Sequence, residues 1–275
     1  MRLAAPYLRV KWTPPLRLTP GMPTTFDDVY LITPKQVLAR SDEVDALEAW
    51  LGAELPSGYR QFVTTLGQGT YCGRLMVLMP SQIQADCESE RAFVREYFDD
   101  FWGEGSSLSM QDAAQGVPFA ATVDGDKIFY SIVRRQLFVL PRHGLHVLWM
   151  PQGLDDPLDW GLPVLEGAWR YFDSHIDRSI VELFSSGAFQ LSDIAARICR
   201  RWPPAHRIDA AWGSRLFLPD LRGAAQLTQA PGDTRVGVRL EFDDAVAKHV
   251  APFIADLTDE GFRVTASVRS QSAGS

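Results

Sequence analysis

Few residues of this chain are equipped for chemistry, and they are scattered. Cys72 lies in the glycine-rich stretch Gly67-Gln-Gly-Thr-Tyr-Cys-Gly73. A thiol nucleophile needs a base within hydrogen-bond reach and a third group to orient that base. His143 and His146 are the bases considered for it. Cys72 falls at the entry to a strand, however, and not at a helix N-terminus, where the thiolate would be stabilised. No thiol-hydrolase signature surrounds it. The five histidines, His143, His146, His175, His206 and His249, form no HxxxH or HExxH pattern, and His143 with His146 lack an evident third metal ligand. Asp124-Gly125-Asp126 is better explained by a hairpin turn than by a calcium loop, because the further acids and the distal Glu are missing. This reading assigns no catalytic residue, no metal site and no cofactor.

A stronger pattern is the segment Asp86–Glu104, where seven carboxylates meet only Arg91 and Arg95. Its net charge of −5 is most of the −7 carried by all 275 residues. Phe93, Tyr97, Phe98, Phe101 and Trp102 interleave with the acids. Aromatic anchors among charges are the make-up of a protein-binding hot spot, so Glu96, Asp99, Asp100 and Trp102 are the candidate partner contacts. The same pattern also fits an amphipathic helix with its rings inward and its acids in water. Trp149, Trp160, Trp169 and Phe172 read in the same two ways, as core aromatics or as a pocket wall.

These residues sit in a chain with 46% hydrophobic and 22% charged residues, enough apolar surface for a large buried core. A pI of about 5.3 disfavours nucleic acid as a ligand, since phosphate contacts need clustered Lys and Arg; it suits a basic protein partner. Cys72, Cys87 and Cys199 are widely spaced and odd in number, which fits a reducing compartment. No apolar run reaches the roughly 18 residues of a membrane helix, and Arg9 and Lys11 interrupt any signal-peptide core. A cytoplasmic location without membrane attachment is therefore the expectation.

The elements that must position these residues follow from periodicity. Residues 1–25 read as a proline-rich arm. Ser41 opens a helix closed by Gly52, and Pro56 starts a second, with Tyr59, Phe62, Val63 and Leu66 on its apolar face. A strand over 74–79 precedes a long helix from Pro80 to Trp102, then a loop over 103–115. Strands are expected at 118–123, 127–132, 136–140 and 145–150, joined by short turns and hence antiparallel. Trp160–Ser174 reads as a helix, Ile176–Ser185 as continued helical packing, Ser192–Arg201 as a further helix and Arg207–Ala230 as irregular. A strand–helix–strand unit closes the chain at 235–242, 244–259 and 262–268. The fold class is α+β: an antiparallel sheet with helices on one face over residues 26–186, and a small C-terminal appendage over 187–275.

Three stretches together resemble the SUKH superfamily. Leu51-Gly52 followed by Leu55-Pro-Ser-Gly-Tyr59-Arg-Gln-Phe62 is similar to its paired opening helices. Gly69–Gly73 with Leu75-Met-Val-Leu-Met-Pro80 is similar to its glycine turn and first core strand. Pro118-Phe-Ala120, Gly125-Asp126 and Ile128-Phe129 are similar to its hairpin. The likeness spans about residues 28–175. It departs at Gly67-Gln-Gly-Thr70, which lacks an adjacent glycine pair, and in the long insert Asp86–Gln115. The resemblance implies a non-catalytic binding domain, most often an immunity protein that neutralises a cognate bacterial toxin of nuclease or deaminase type, and less often a regulatory scaffold. A thiol-dependent hydrolase built on Cys72 is the alternative from a different class.

Overall fold

The computed structural model describes residues 26–103, 107–150, 153 and 169–269. The arm expected at 1–25, Glu104, Trp160 and most of the helix expected at Trp160–Ser174 lie outside them. The described chain is α+β, as expected, and is built on two sheets.

The first sheet begins at β1 (Tyr30–Leu31) and is led by α1 (Ser41–Leu51) and α2 (Tyr59–Thr65). At the start of α1 the Glu43 carboxylate accepts the Arg40 N–H at 2.7 Å, and at its end Gly52 turns left-handed (φ 64°) and donates to the Glu48 carbonyl. Both ends thus satisfy backbone groups that a helix leaves orphaned. Val44, Leu47, Tyr59, Phe62 and Val63 bury one apolar face against the sheet. Strands β2 (Thr70–Tyr71) and β3 (Leu75–Val77) then enter the long helix α3 (Pro80–Phe101).

A five-residue helix, α4 (Met110–Ala114), occupies the expected loop; the Ser109 hydroxyl caps it by accepting from the Asp112 N–H. Four antiparallel strands follow: β4 (Val117–Thr122), β5 (Lys127–Ser131), β6 (Gln136–Leu140) and β7 (Leu148–Met150). The sheet is completed by β8 (Tyr171–Asp173) in the order β1-β8-β2-β3-β4-β5-β6-β7, with β1 and β8 parallel. Tyr171–Asp173 is therefore strand where helix was expected. The helices divide between faces. Ile128, Tyr130, Leu137 and Val139 join the core under α1 and α2, while the alternate residues Phe129, Phe138 and Leu140 pack with Val94, Phe98 and Trp102 of the α3 end and with α4.

The second sheet corrects two expectations. Ile176–Ser185 is not helical: it contains β9 (Arg178–Ser185), with Val181 and Leu183 buried and Ile180, Glu182 and Phe184 turned the other way. That alternation of period two is a strand signal, disguised by the aliphatic density of the segment. Arg207–Ala230 is not irregular but a meander of β10 (His206–Ala210), β11 (Gly213–Leu218) and β12 (Gly223–Thr228). The closing strand–helix–strand unit is present as β13 (Gly237–Asp243), α6 (Ala247–Asp259) and β14 (Phe262–Arg269), and α5 (Leu191–Arg201) precedes the meander. The six strands run β10-β11-β12-β13-β9-β14, all antiparallel, with α5 and α6 packed over one face. A division at 186/187 separates β9 from its own sheet; by sheet membership the chain divides between Asp173 and Arg178.

Candidate functional site

The α3 segment resolves the two readings of its rings residue by residue. Val94 and Phe98 are buried, as is Trp102, which is 4% exposed and donates its indole N–H to the Pro141 carbonyl at 2.8 Å. Trp102 is thus a core residue and offers no ring to a partner in this conformation. Phe93, Tyr97 and Phe101, four residues apart, form a row along a different stripe, with ring centroids 4.9 and 6.2 Å apart. Phe101 is 49% exposed, and Lys127 sits over the Phe93 ring. Phe101, adjacent to the residue chosen from sequence, is the exposed aromatic of the pair.

The acids also separate. Glu88 pairs with Arg91 and Glu90 with Lys127. Glu96, Asp99 and Asp100 are exposed and make no ion pair among the described residues. Glu96 stands next to Arg95 in the penultimate turn of α3, and Asp99 and Asp100 stand in the last turn, where the helix dipole is negative and the helix carries no basic residue. The Glu96 carboxylate beside the Tyr97 phenol pushes its pKa up. Asp99 and Asp100 thus stand against the dipole at some cost to the helix, beside a half-exposed row of rings.

A second site lies where the sheets meet. Tyr171 and Phe217 touch at 4.7 Å, Trp169 meets Phe217 at 5.0 Å, and His206 stacks on Trp169 at 3.9 Å. Beside this aromatic joint a cavity of about 660 Å³ opens between the β2–β3 turn, Trp169, Tyr171 and strands β10 to β12. Cys72 and Arg74 line it from one side, Trp212 and Arg215 from the other. Of the four aromatics read as core or pocket, Trp169 is a cavity wall, Phe172 is buried core, Trp149 lies under the Arg134 guanidinium, and Trp160 is outside the described residues.

Deeper in the same joint is a buried charge network that no sequence signal announced. Arg178, 1% exposed, donates to the Asp173 carboxylate at 3.2 Å and to the Arg222 carbonyl, and lies 4.0 Å from Glu241. Glu241 also faces Arg215 at 3.5 Å and Arg239 at 2.7 Å. Lys35 bridges Asp177 and the fully buried Asp243. A buried charge is tolerated only when paired and hydrogen-bonded, so these residues fix how the sheets join.

The thiol chemistry considered from sequence does not assemble. Cys72 is buried on the β2–β3 turn with φ 52°, its N–H bonded to the Tyr171 carbonyl. His143 and His146 lie between β6 and β7, and the strand order places β6 four strands away from β2, about 19 Å at the usual spacing. His175, on the β8–β9 turn, has its Nε2 taken by the Thr70 hydroxyl of β2 at 2.8 Å. Its Nδ1 is 3.7 Å from Asp173, beyond hydrogen-bond range. The Thr70–His175 hydrogen bond ties β2 to the β8–β9 turn, and the Asp173 carboxylate there accepts the His175 backbone N–H at 3.1 Å. Asp126 is likewise a turn residue, its carboxylate accepting from the Thr122 hydroxyl and the Arg142 N–H. Among the described residues there is no cluster of three or more His, Cys, Asp or Glu able to hold a metal, and no helix is long and apolar enough to cross a membrane.

Comparison with known proteins yields no match: no family model matches the chain, and no curated protein or solved structure does so either.

Proposed function

We propose that this chain is a non-catalytic protein-binding protein, an immunity protein that neutralises a cognate toxin of basic, nuclease-like character by stoichiometric contact. The observation that carries the reading is the end of α3: Glu96, Asp99 and Asp100 without ion partners, alongside the row Phe93, Tyr97 and Phe101. Exposed carboxylates accelerate encounter with a cationic partner, and rings that become buried slow its release. The SUKH-like motifs support the same reading, as does the net charge of −7.

Co-expression with the toxin-like product of the neighbouring gene, followed by affinity measurement across a salt series, tests it. Growth should be rescued, and a triple change of Glu96, Asp99 and Asp100 to Lys should abolish rescue and flatten the salt dependence. Rescue and affinity unchanged in the triple variant, or no rescue by the native chain, would overturn the reading.

A further inference from the structure

Among the described residues, the cavity between the sheets is lined by two arginines, Arg74 and Arg215, and by no Asp or Glu, in a chain whose net charge is −7. Both its walls and its size are those of a ligand site. Trp169, Tyr171 and Trp212 supply flat apolar surface, and a volume of about 660 Å³ is in the range that encloses one small organic molecule. Trp212 stands on the β10–β11 turn with 64% of its surface exposed, an indole at the rim.

Arg215 is held in place before any ligand arrives. It lies 5.2 Å over the Tyr171 ring and 5.6 Å over Phe217, and Glu241 fixes one end of the guanidinium at 3.5 Å. Its buried Nε has no hydrogen-bond partner among the described residues. Gly73, at φ 66°, makes room for this arrangement: a Cβ there would fall 2.3 Å from the Tyr171 hydroxyl and 3.2 Å from the guanidinium. Arg74, on the same turn, is exposed and forms no ion pair among the described residues. One anchored and one free guanidinium, set beside aromatic walls, match a planar body that ends in an anion, since the guanidinium fork fits carboxylate and phosphate oxygens and stacks on rings.

We infer that the cleft between the two sheets binds a small aromatic anion, a carboxylate or a phosphate ester, with its ring against Trp169, Tyr171 and Trp212 and its anionic group on Arg74 and Arg215. This site is separate from the α3 surface, which lies over β5 and β6 on the far side of the sheet.

The full chain is titrated with naphthoate, naphthyl phosphate and neutral naphthalenemethanol, followed by calorimetry and tryptophan fluorescence. At least one anion should bind saturably, with the neutral alcohol about tenfold weaker or worse, as loss of a charge-assisted contact implies. The preferred anion distinguishes a carboxylate site from a phosphate site. Arg74→Glu, at an exposed position that leaves folding intact, should lower the affinity for the anion by a similar factor, and Trp212→Ala should lower it for all three probes. Asp99→Lys should leave all three titrations unchanged, which separates failure of this site from failure of the α3 surface. Equal binding of alcohol and anions, undiminished binding by Arg74→Glu, or no saturable binding of either anion at millimolar concentration would each overturn the inference.

Discussion

Phe101 and Trp102 are neighbours in sequence with opposite environments, and their contrast sets what each substitution should do. Trp102 fills the small core between α3, β5 and β6 and has its N–H satisfied by Pro141. Trp102→Ala should cost about 3–5 kcal/mol, the usual cost of deleting a buried large aromatic, and a thermal melt should register it while partner affinity of the folded fraction is unchanged. Phe101→Ala should do the reverse, leaving the melt nearly unmoved and weakening binding. Cys72 makes a third case. It is buried on the β2–β3 turn, four strands from the β6–β7 connection that carries His143 and His146, so Cys72→Ala should preserve activity in the rescue assay. Lost activity with an intact melt would revive the thiol reading.

At the scale of elements, α3 carries an arrangement that helix physics disfavours. Asp99 and Asp100 sit in the last turn, against the dipole, with no compensating cation. Replacing both by Lys should stabilise the free protein by about 0.3–1 kcal/mol per site, seen as a Tm rise of a few degrees at most. The same change should weaken toxin binding. Gain in stability with loss of affinity marks residues kept for contact; a fall in Tm would mean that the acids support the helix in a way the dipole argument omits. Helices such as α1 and α3 were legible because their caps and 3.6-residue periodicity are local. Residues 178–185 were not, because their strand is specified by partners far along the chain: β9 pairs with β13 and β14, more than fifty residues away. Residues 207–230 pair locally, but the connection Ala211-Trp212 between β10 and β11 carries none of the Asn-Gly or Asp-Gly signal that marks a hairpin. The acidic surface was visible as composition, whereas its division into paired and unpaired acids depends on Lys127, which only the fold brings to Glu90. The cleft was invisible for the same reason, since Arg74 and Arg215 belong to different sheets.

On the scale of the whole molecule, the joint between the sheets is electrostatic as well as aromatic, and this makes it sensitive to acid. Lys35, ahead of α1, reaches across to Asp243 at the end of β13, and Arg222 approaches the same carboxylate at 3.6 Å. Burial by itself would raise the Asp243 carboxyl. The hydrogen bond from the Ala245 N–H, with Lys35 and Arg222, outweighs that effect and holds it below the usual carboxylate range. A carboxyl with a depressed folded-state pKa contributes stability that is complete above its unfolded value, about 3.9, and disappears as pH falls through the folded value. Melting temperature should therefore be insensitive to this group from pH 7 down to about 5 and should fall increasingly below about 4. Asp243→Asn removes the titrating group, so the variant should melt lower than the native chain at neutral pH and lose less on acidification, the two curves converging as the carboxyl protonates. Lys35→Met should also narrow the gap between neutral and acid, because it takes away one of the charges that depress the carboxyl. Parallel curves for Asp243→Asn and the native chain would show that acid acts elsewhere, and that the sheets are held at this point by packing of Tyr171, Trp169 and Phe217 alone.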